Sequence, residues 1–544
     1  MKFNQSKLIY FGVVLFFYFL TALPFFGIWF LPDDFVSIYG SMQNPLKLLF
    51  SREDYALFNR WFFTPLLPLS FKLDGHLFKL NPIGYHFHNY LVILMNAIVI
   101  YKIARFYLPG FHSLLSSLFF LFSIPAFVNI GALSWRHYIW GSLFTLLSFY
   151  LYKRFEQTNI RKFLISSIMC YLIAILFKSA FAPLPLAFFF LPKLRPSKRI
   201  KIFGIYMCIF LFYLIWRVYI LGGFGGYFFI PSPTVSESIF TILFKIPYII
   251  SKTIWKIPFF IYFISIGLYF IKPRLGIYIF LMSLLSISPF IFTTVDNSYG
   301  FAPRFILLSA IISIAISFLI YYISRKIKND LKNYVISFMC ALILVLQVMD
   351  LPKAFSELNI QGKFVKNTCQ RLSNQKFKIV YDRYVWIYNY FYLVKNQFFK
   401  KELNLVGIGT LTRDNLALDL YLYQKYICSL SEEDNIFIPS QGKVLKYRDL
   451  RKMLGTLERK QMLKKPDIRL NIKSHILKAT IVDKRTDGMF KAYFFSRLGE
   501  KNIIFYGVPI NKKSFSCPIR KGEQILFLFI SPGKKFSVPL VFRG

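Results

Sequence analysis

Apolar runs long enough to cross a bilayer as helices recur along this chain from Leu8 to Val348, and that repetition restricts its fold more than any other feature. In hydrocarbon every backbone N–H and C=O must be satisfied within the protein, so such runs become helices. The composition agrees: 56% of the 544 residues are hydrophobic, 20% are aromatic, and Phe alone occurs 66 times. The class is therefore a polytopic α-helical membrane protein. The first run, Leu8 to Leu31, follows Lys2 and Lys7. It is longer than the apolar core of a signal peptide and has no small-x-small cleavage pattern, so it is expected to stay as an uncleaved first span.

Breaks at charge, Pro and Gly divide the apolar region into about eleven crossings. They begin near Leu8, Tyr90, Leu114, Tyr138, Phe163, Phe181, Ile202, Ile257, Leu275, Phe305 and Val335. The stretch from Phe163 to Leu191 reads either as one long kinked helix or as two short ones parted near Lys178, Pro183 and Pro185. Charge favours two. With two spans, the basic clusters at Lys153/Arg154/Arg161/Lys162, Lys193 to Lys201, Lys272/Arg274 and Arg325 to Lys332 share one side with Lys2, Lys7, Lys102 and Arg105, as the positive-inside rule requires. The N-terminus is then cytoplasmic. Asp33 and Asp34, the loop from Gly222 to Lys256, the segment Asp296 to Arg304 and everything after Asp350 are predicted to be extracytoplasmic.

Residues 1–350 read as the transmembrane domain. Beyond Asp350 the apolar runs shorten to strand length. Residues 351–465 read as an α/β region, and 466–544 as a β-sandwich-like domain, because segments such as His475 to Val482, Phe490 to Phe495, Ile503 to Tyr506 and Ile525 to Ile530 alternate with turn signals. The formal net charge of +42 is shared between both halves. With an external tail and no basic-aromatic module, nucleic acid is excluded as a partner. Membrane lipids, phosphate-linked donors and acidic glycans are partners that a positive exterior would attract.

Cys170, Cys208 and Cys340 fall within spans, while Cys369, Cys428 and Cys517 lack the close spacing of a zinc site and allow at most one disulfide in the tail. No His-Glu-x-x-His, Walker loop or Gly-x-Ser-x-Gly occurs, which removes the commonest protease, nucleotidase and esterase readings. Gly222-Gly223-Phe224-Gly225-Gly226 follows a membrane span and not a strand, so it reads as an interfacial turn and not a phosphate loop. Ser238 to Lys256, apolar with Lys245, Lys252 and Lys256 interspersed, reads as an amphipathic helix on the outer membrane surface.

Acids are scarce before Asp350, so the adjoining pair in Leu31-Pro32-Asp33-Asp34-Phe35, at the lip of the first span, stands out. Carboxylates there are costly to desolvate and invite a chemical role; the alternative is a cap for the helix after Pro32. A group transfer that expels a phosphate needs only one base, because the phosphate leaves as a stable anion, provided that cations stabilise the departing charge. Asp33 or Asp34 fits the base. Arg136, Lys178 and Arg304 lie at predicted external span ends where a phosphate would sit. His86 and His88 flank Phe87 at another such end, as candidates for the donor phosphate or a divalent cation, though alternate residues of a helix do not share one face.

Several of these elements together resemble the membrane-embedded GT-C glycosyltransferases, the superfamily containing protein O-mannosyltransferases and bacterial lipid A aminoarabinose transferases. Besides Asp33-Asp34 they are Arg60-Trp61-Phe62-Phe63-Thr64-Pro65-Leu66, Asn81 to Asn89 with Asn96-Ala97, Trp135-Arg136, Lys178-Ser179-Ala180, and Asp296 to Phe305 ending in Pro303-Arg304-Phe305. Ile93 stands where relatives commonly carry a second His, and Ser179 where they carry Glu. The resemblance implies a GT-C-like fold over residues 1–350 and an inverting transfer from a polyprenyl-phosphate sugar to a protein, lipid or polysaccharide acceptor. It favours Asp33 as base, with Asp34 positioning the acceptor or a cation, and Arg60, His86, Arg136, Lys178 and Arg304 as substrate-binding residues. The second reading is a transporter or flippase of lipid-linked sugars, which would carry ionisable groups near the bilayer midplane and internal repeats. Here the acids sit at span ends and no repeat is visible.

Overall fold

The computed structural model describes residues 5–374 apart from 60–61, 190–195, 224–239, 256–258, 291–298 and 328, and beyond Asn374 mainly strands with short connecting pieces. The chain divides into two compact units. One takes Met1–Leu31, Thr64–Leu214 and Ser232–Lys363; the other takes Pro32–Phe63, Ile215–Pro231 and Phe364–Gly544.

The first unit is helical. Among the described residues of the chain, five helices are long and apolar enough to cross a membrane, or six if the bent pair Gly110–Leu121 and Ile124–Gly131 counts as one span. This makes the chain a multi-pass membrane protein. Apart from Ile257, outside the described residues, each expected span start falls on a helix or a 3-10 turn. Length and apolarity alone do not establish about eleven crossings, however. The helix Arg136–Thr158 carries charge towards both ends, and Arg161–Phe177, with 17 residues, is at the lower limit for a span.

The stretch around Lys178 is broken. The helix Arg161–Phe177 stops at Lys178, whose backbone is extended at φ −159° and ψ 128°; the 3-10 turn Ser179–Phe181 and the helix Leu184–Phe189 follow. Elsewhere local chemistry starts the helices. Asn81 accepts a hydrogen bond from the Ile83 N–H ahead of Pro82, a residue pre-shaped for a first turn, and the helix Pro82–Ala104 begins there.

Small and polar side chains tie these helices to one another, the usual adhesive where apolar surface meets lipid on every side. Ser117 Oγ donates to Ala97 O at 2.7 Å, Asn96 Nδ2 to Ile139 O at 3.1 Å and Ser167 Oγ to Ser148 O at 2.5 Å. Within the stretch read as an amphipathic helix, a π-helical turn, Thr241–Lys245, continues into the helix Ile246–Trp255. Ile246 and Ile250 are buried while Phe240 and Phe244 are exposed.

The second unit joins the tail to two earlier segments. Helices Asp34–Met42, Pro45–Phe50 and Arg52–Phe58 are held to Trp216 and Tyr219: Trp216 Nε1 donates to Leu49 O at 3.0 Å, and Arg52 Nε to Tyr219 O at 2.7 Å. Phe35 meets Phe391 edge to face. In the tail, β1 (Ile379–Asp382) lies parallel to both β2 (Val406–Gly409) and β3 (Asn435–Ile438), and β4 (Lys443–Lys446) is antiparallel at the edge. Parallel neighbours need crossover connections, which is the arrangement of an α/β sheet.

Two further sheets follow, antiparallel except where β5 (Met462–Leu463) lies parallel to β12 (Phe536–Ser537) at the edge of the second. One has β6 (Ile468–Lys473), β7 (Ile476–Ile481) and β10 (Ser514–Pro518) in the order β10-β7-β6. The other is built on β8 (Met489–Leu498), β9 (Asn502–Ile510), β11 (Gln524–Ile530) and β13 (Leu540–Arg543). Phe490 and Ala492 of β8 and Ile525, Phe527 and Phe529 of β11 alternate along their strands and share one core with Leu477, Ala479 and Cys517. Cys369 and Cys517 are buried; Cys428 lies outside the described residues.

Candidate functional site

Two of the cations singled out by sequence come together in the helical unit. Lys178 and Arg304 both follow breaks in helical structure, Lys178 after Phe177 and Arg304 in the 3-10 turn Tyr299–Phe305. They settle on one aromatic cluster. Lys178 Nζ lies 5.5 Å from the centre of the Tyr138 ring, and Arg304 Cζ lies 5.3 Å from that of Trp135. Trp135 and Tyr138 are themselves edge to face at 6.4 Å, and Tyr138 continues through Phe290 to Phe305. The negative face of an aromatic ring holds a cation by about 0.5–2 kcal/mol. Both cations are part-buried, and both act electrostatically on the His137 ring between Arg136 and Tyr138.

The turn that carries Lys178 is fixed from two sides. Phe177 stacks on Trp140 with ring centres 5.7 Å apart, and Tyr171 Oη donates to Ala182 O. Phe181 lies so close to the helix Arg136–Thr158 that a Cβ on Gly141 would come within 2.1 Å of its ring. Only glycine admits that approach.

Arg136, a substrate-binding candidate from the sequence, has several partners within the helical unit. Its side chain is fully buried. Nη1 pairs with Asp74 Oδ2 at 2.5 Å and donates to Ser70 O at 2.9 Å; Nη2 donates to Tyr85 O at 3.0 Å and Nε to Asn89 Oδ1 at 2.6 Å. Phe71 lies beneath the guanidinium at 4.2 Å. The other oxygen of Asp74 accepts from His88 Nδ1 at 2.7 Å. A fixed, planar donor fork suits such a buried junction better than an ammonium would.

From this junction a hydrogen-bond chain runs to the basic pair. Asn89 Nδ2 donates to Asn129 O at 2.8 Å, and Asn129 Nδ2 donates to Pro303 O at 3.2 Å, next to Arg304. Arg136 is thus connected through Asn89 and Asn129 to the turn that carries Arg304. His86 is likewise internal: it is fully buried, with Nδ1 2.7 Å from Ile130 O and Nε2 2.8 Å from Ile28 O. The ring fastens the end of the first helix to the bent pair that carries Asn129.

The acidic pair belongs to the second unit and is divided by exposure. Asp33 is exposed, whereas Asp34 is wholly buried in the first turn of the helix Asp34–Met42. Asp33 occupies the N-cap position but makes no side-chain capping bond. Arg60, Trp61, and Asp296 to Ser298 lie outside the described residues. Among the described residues no group of three or more His, Cys, Asp or Glu is placed to hold a metal ion.

Two residues were missed by sequence reasoning. The scarcity of acids that draws attention to Asp33 and Asp34 applies equally to Asp74, a single carboxylate in the helix Leu66–Phe78. No local pattern flags His137.

In comparison with known proteins, no family model and no curated protein matches the chain. Among solved structures it is similar to the crystal structure of ArnT from Cupriavidus metallidurans in the apo state, with 9% sequence identity. The match covers 78% of this chain and 89% of that one at a TM-score of 0.43. Neither an activity nor a substrate follows from a likeness at that level.

Proposed function

We propose that this chain is an inverting membrane glycosyltransferase of the GT-C type, moving a sugar from a polyprenyl-phosphate donor to an extracytoplasmic protein, lipid or polysaccharide acceptor. The observation that carries the reading is the meeting of Lys178 and Arg304 on the Trp135–Tyr138 cluster. Two cations held by aromatic faces and fixed backbone turns are an ordered positive locus, which is what a departing lipid phosphate requires.

In this reading Lys178 and Arg304 balance the charge that grows on the phosphate as the glycosidic bond breaks. Asp33, whose carboxylate is exposed, takes the acceptor proton, and Asp34 beside it positions the acceptor or a cation. The segment Pro32–Phe63 packs in one unit with the tail. That supports placing both on one side of the membrane, the extracytoplasmic side by the charge rule. Donor lipid and surrounding membrane lipids are the partners.

The test separates turnover from binding. Arg304→Ala and Lys178→Ala are expected to lower the transfer rate about a hundredfold while weakening donor affinity much less, because interactions made in the transition state act on turnover. Equal losses in both quantities would reduce the pair to ordinary donor contacts.

A further inference from the structure

The buried ring of His137 carries information that the two cations do not. Its Nδ1 lies 3.0 Å from Ser134 O, and a carbonyl can only accept, so Nδ1 bears the proton. Nε2 is buried and has no hydrogen-bond partner among the described residues. A doubly protonated ring would leave an N–H there with no acceptor. The neutral tautomer instead presents a lone pair, and an unmet buried acceptor is costly unless a ligand supplies the donor. The residue as a whole is 9% exposed. Trp135 and Tyr138, which carry Arg304 and Lys178, stand two residues before it and one after.

We propose that His137 reads the sugar: its Nε2 accepts a hydrogen bond from a hydroxyl, or an amine, of the group linked to the phosphate that Lys178 and Arg304 hold. Anion and donor are then recognised side by side. A bare polyprenyl phosphate offers the charge without the sugar's donors, whereas a phosphate-linked hexose offers both. His137 is thus a specificity-determining residue, selecting loaded donor over the spent lipid that transfer leaves behind. Ser134 positions it by fixing the tautomer. This inference rests on the reading of Lys178 and Arg304 as the phosphate-holding pair.

The experiment uses the purified full chain in nanodiscs and measures affinity for a polyprenyl phosphate and for the same lipid carrying mannose or glucose. His137→Phe is expected to weaken the sugar-bearing lipids about three- to tenfold, the worth of one hydrogen bond, and to leave the bare lipid within about twofold. Lys178→Ala and Arg304→Ala should weaken both kinds. Sugar-bearing lipids lacking single hydroxyls, tested on the unaltered chain, give a readout that does not depend on how the variant folds: at least one should bind as weakly as the intact lipid binds His137→Phe. If His137→Phe weakens bare and loaded lipid alike, or every deoxy lipid binds as well as its parent, the role of His137 is overturned while the phosphate site stands. If neither lipid responds to Lys178→Ala or Arg304→Ala, the phosphate site fails and this inference with it.

Discussion

Arg136 and Asp74 form an ion pair 2.5 Å long, with their side chains 0% and 2% exposed, and join two helices far apart in sequence. Such a pair gains little over a well-packed apolar substitute, but removing one partner strands the other charge, at a cost of about 3–5 kcal/mol. Arg136→Met or Asp74→Leu alone should therefore lower the thermal unfolding midpoint in detergent sharply. The double variant should recover most of the loss. Equal destabilisation by single and double variants would show that the charges are solvated despite their burial.

The hydrogen-bond chain Asn89–Asn129–Pro303 links this junction to Arg304, so Asn129 should influence transfer only through that arginine. Asn129→Leu is expected to slow transfer about tenfold, less than Arg304→Ala, and to have no further effect when Arg304 is already Ala. Kinetics of the two single variants and the double variant provide the check. Additive losses would assign Asn129 a separate role.

These two relationships mark where the sequence runs out. The helices were legible because lipid leaves an apolar run few alternatives: the break at Lys178 follows from charge, and the start at Pro82 from Asn81. Asp74 was not, since its meaning comes from Arg136 and His88, which only the packed helices bring to it. His86 and Arg136 stood in a suggestive motif, yet their partners are Ile28, Ile130, Ser70, Tyr85, Asn89 and Asp74, contacts that no local spacing encodes. In the tail, alternation located strands such as β8 and β11, while their pairing depends on sequence-distant partners.

Exposure separates the acidic neighbours. Asp33→Asn keeps size but removes basicity, so it should abolish turnover with donor affinity and thermal stability nearly unchanged. Asp34→Asn alters a fully buried side chain and should lower stability as well. Purified variants assayed for transfer, donor binding and unfolding rank the two. Near-normal turnover of Asp33→Asn would remove it from the role of base.

Topology is open to labelling. A single cysteine placed at the exposed Val482, in a chain otherwise free of accessible thiols, should react with an impermeant reagent on intact cells. So should one placed at the exposed Asp33 position, since Pro32–Phe63 and the tail belong to one unit. Labelling of both only after lysis would reverse the assigned orientation.

The transferase assignment itself is tested by what becomes of the donor. Purified protein in proteoliposomes, given a panel of polyprenyl-phosphate sugars and membranes that supply the native acceptor, should form a new glycosidic bond and release one lipid phosphate for each sugar moved. That release should vanish in Asp33→Asn. Movement of intact donor between leaflets, with no phosphate released and no bond formed, would contradict the account and make the chain a transporter of lipid-linked sugars.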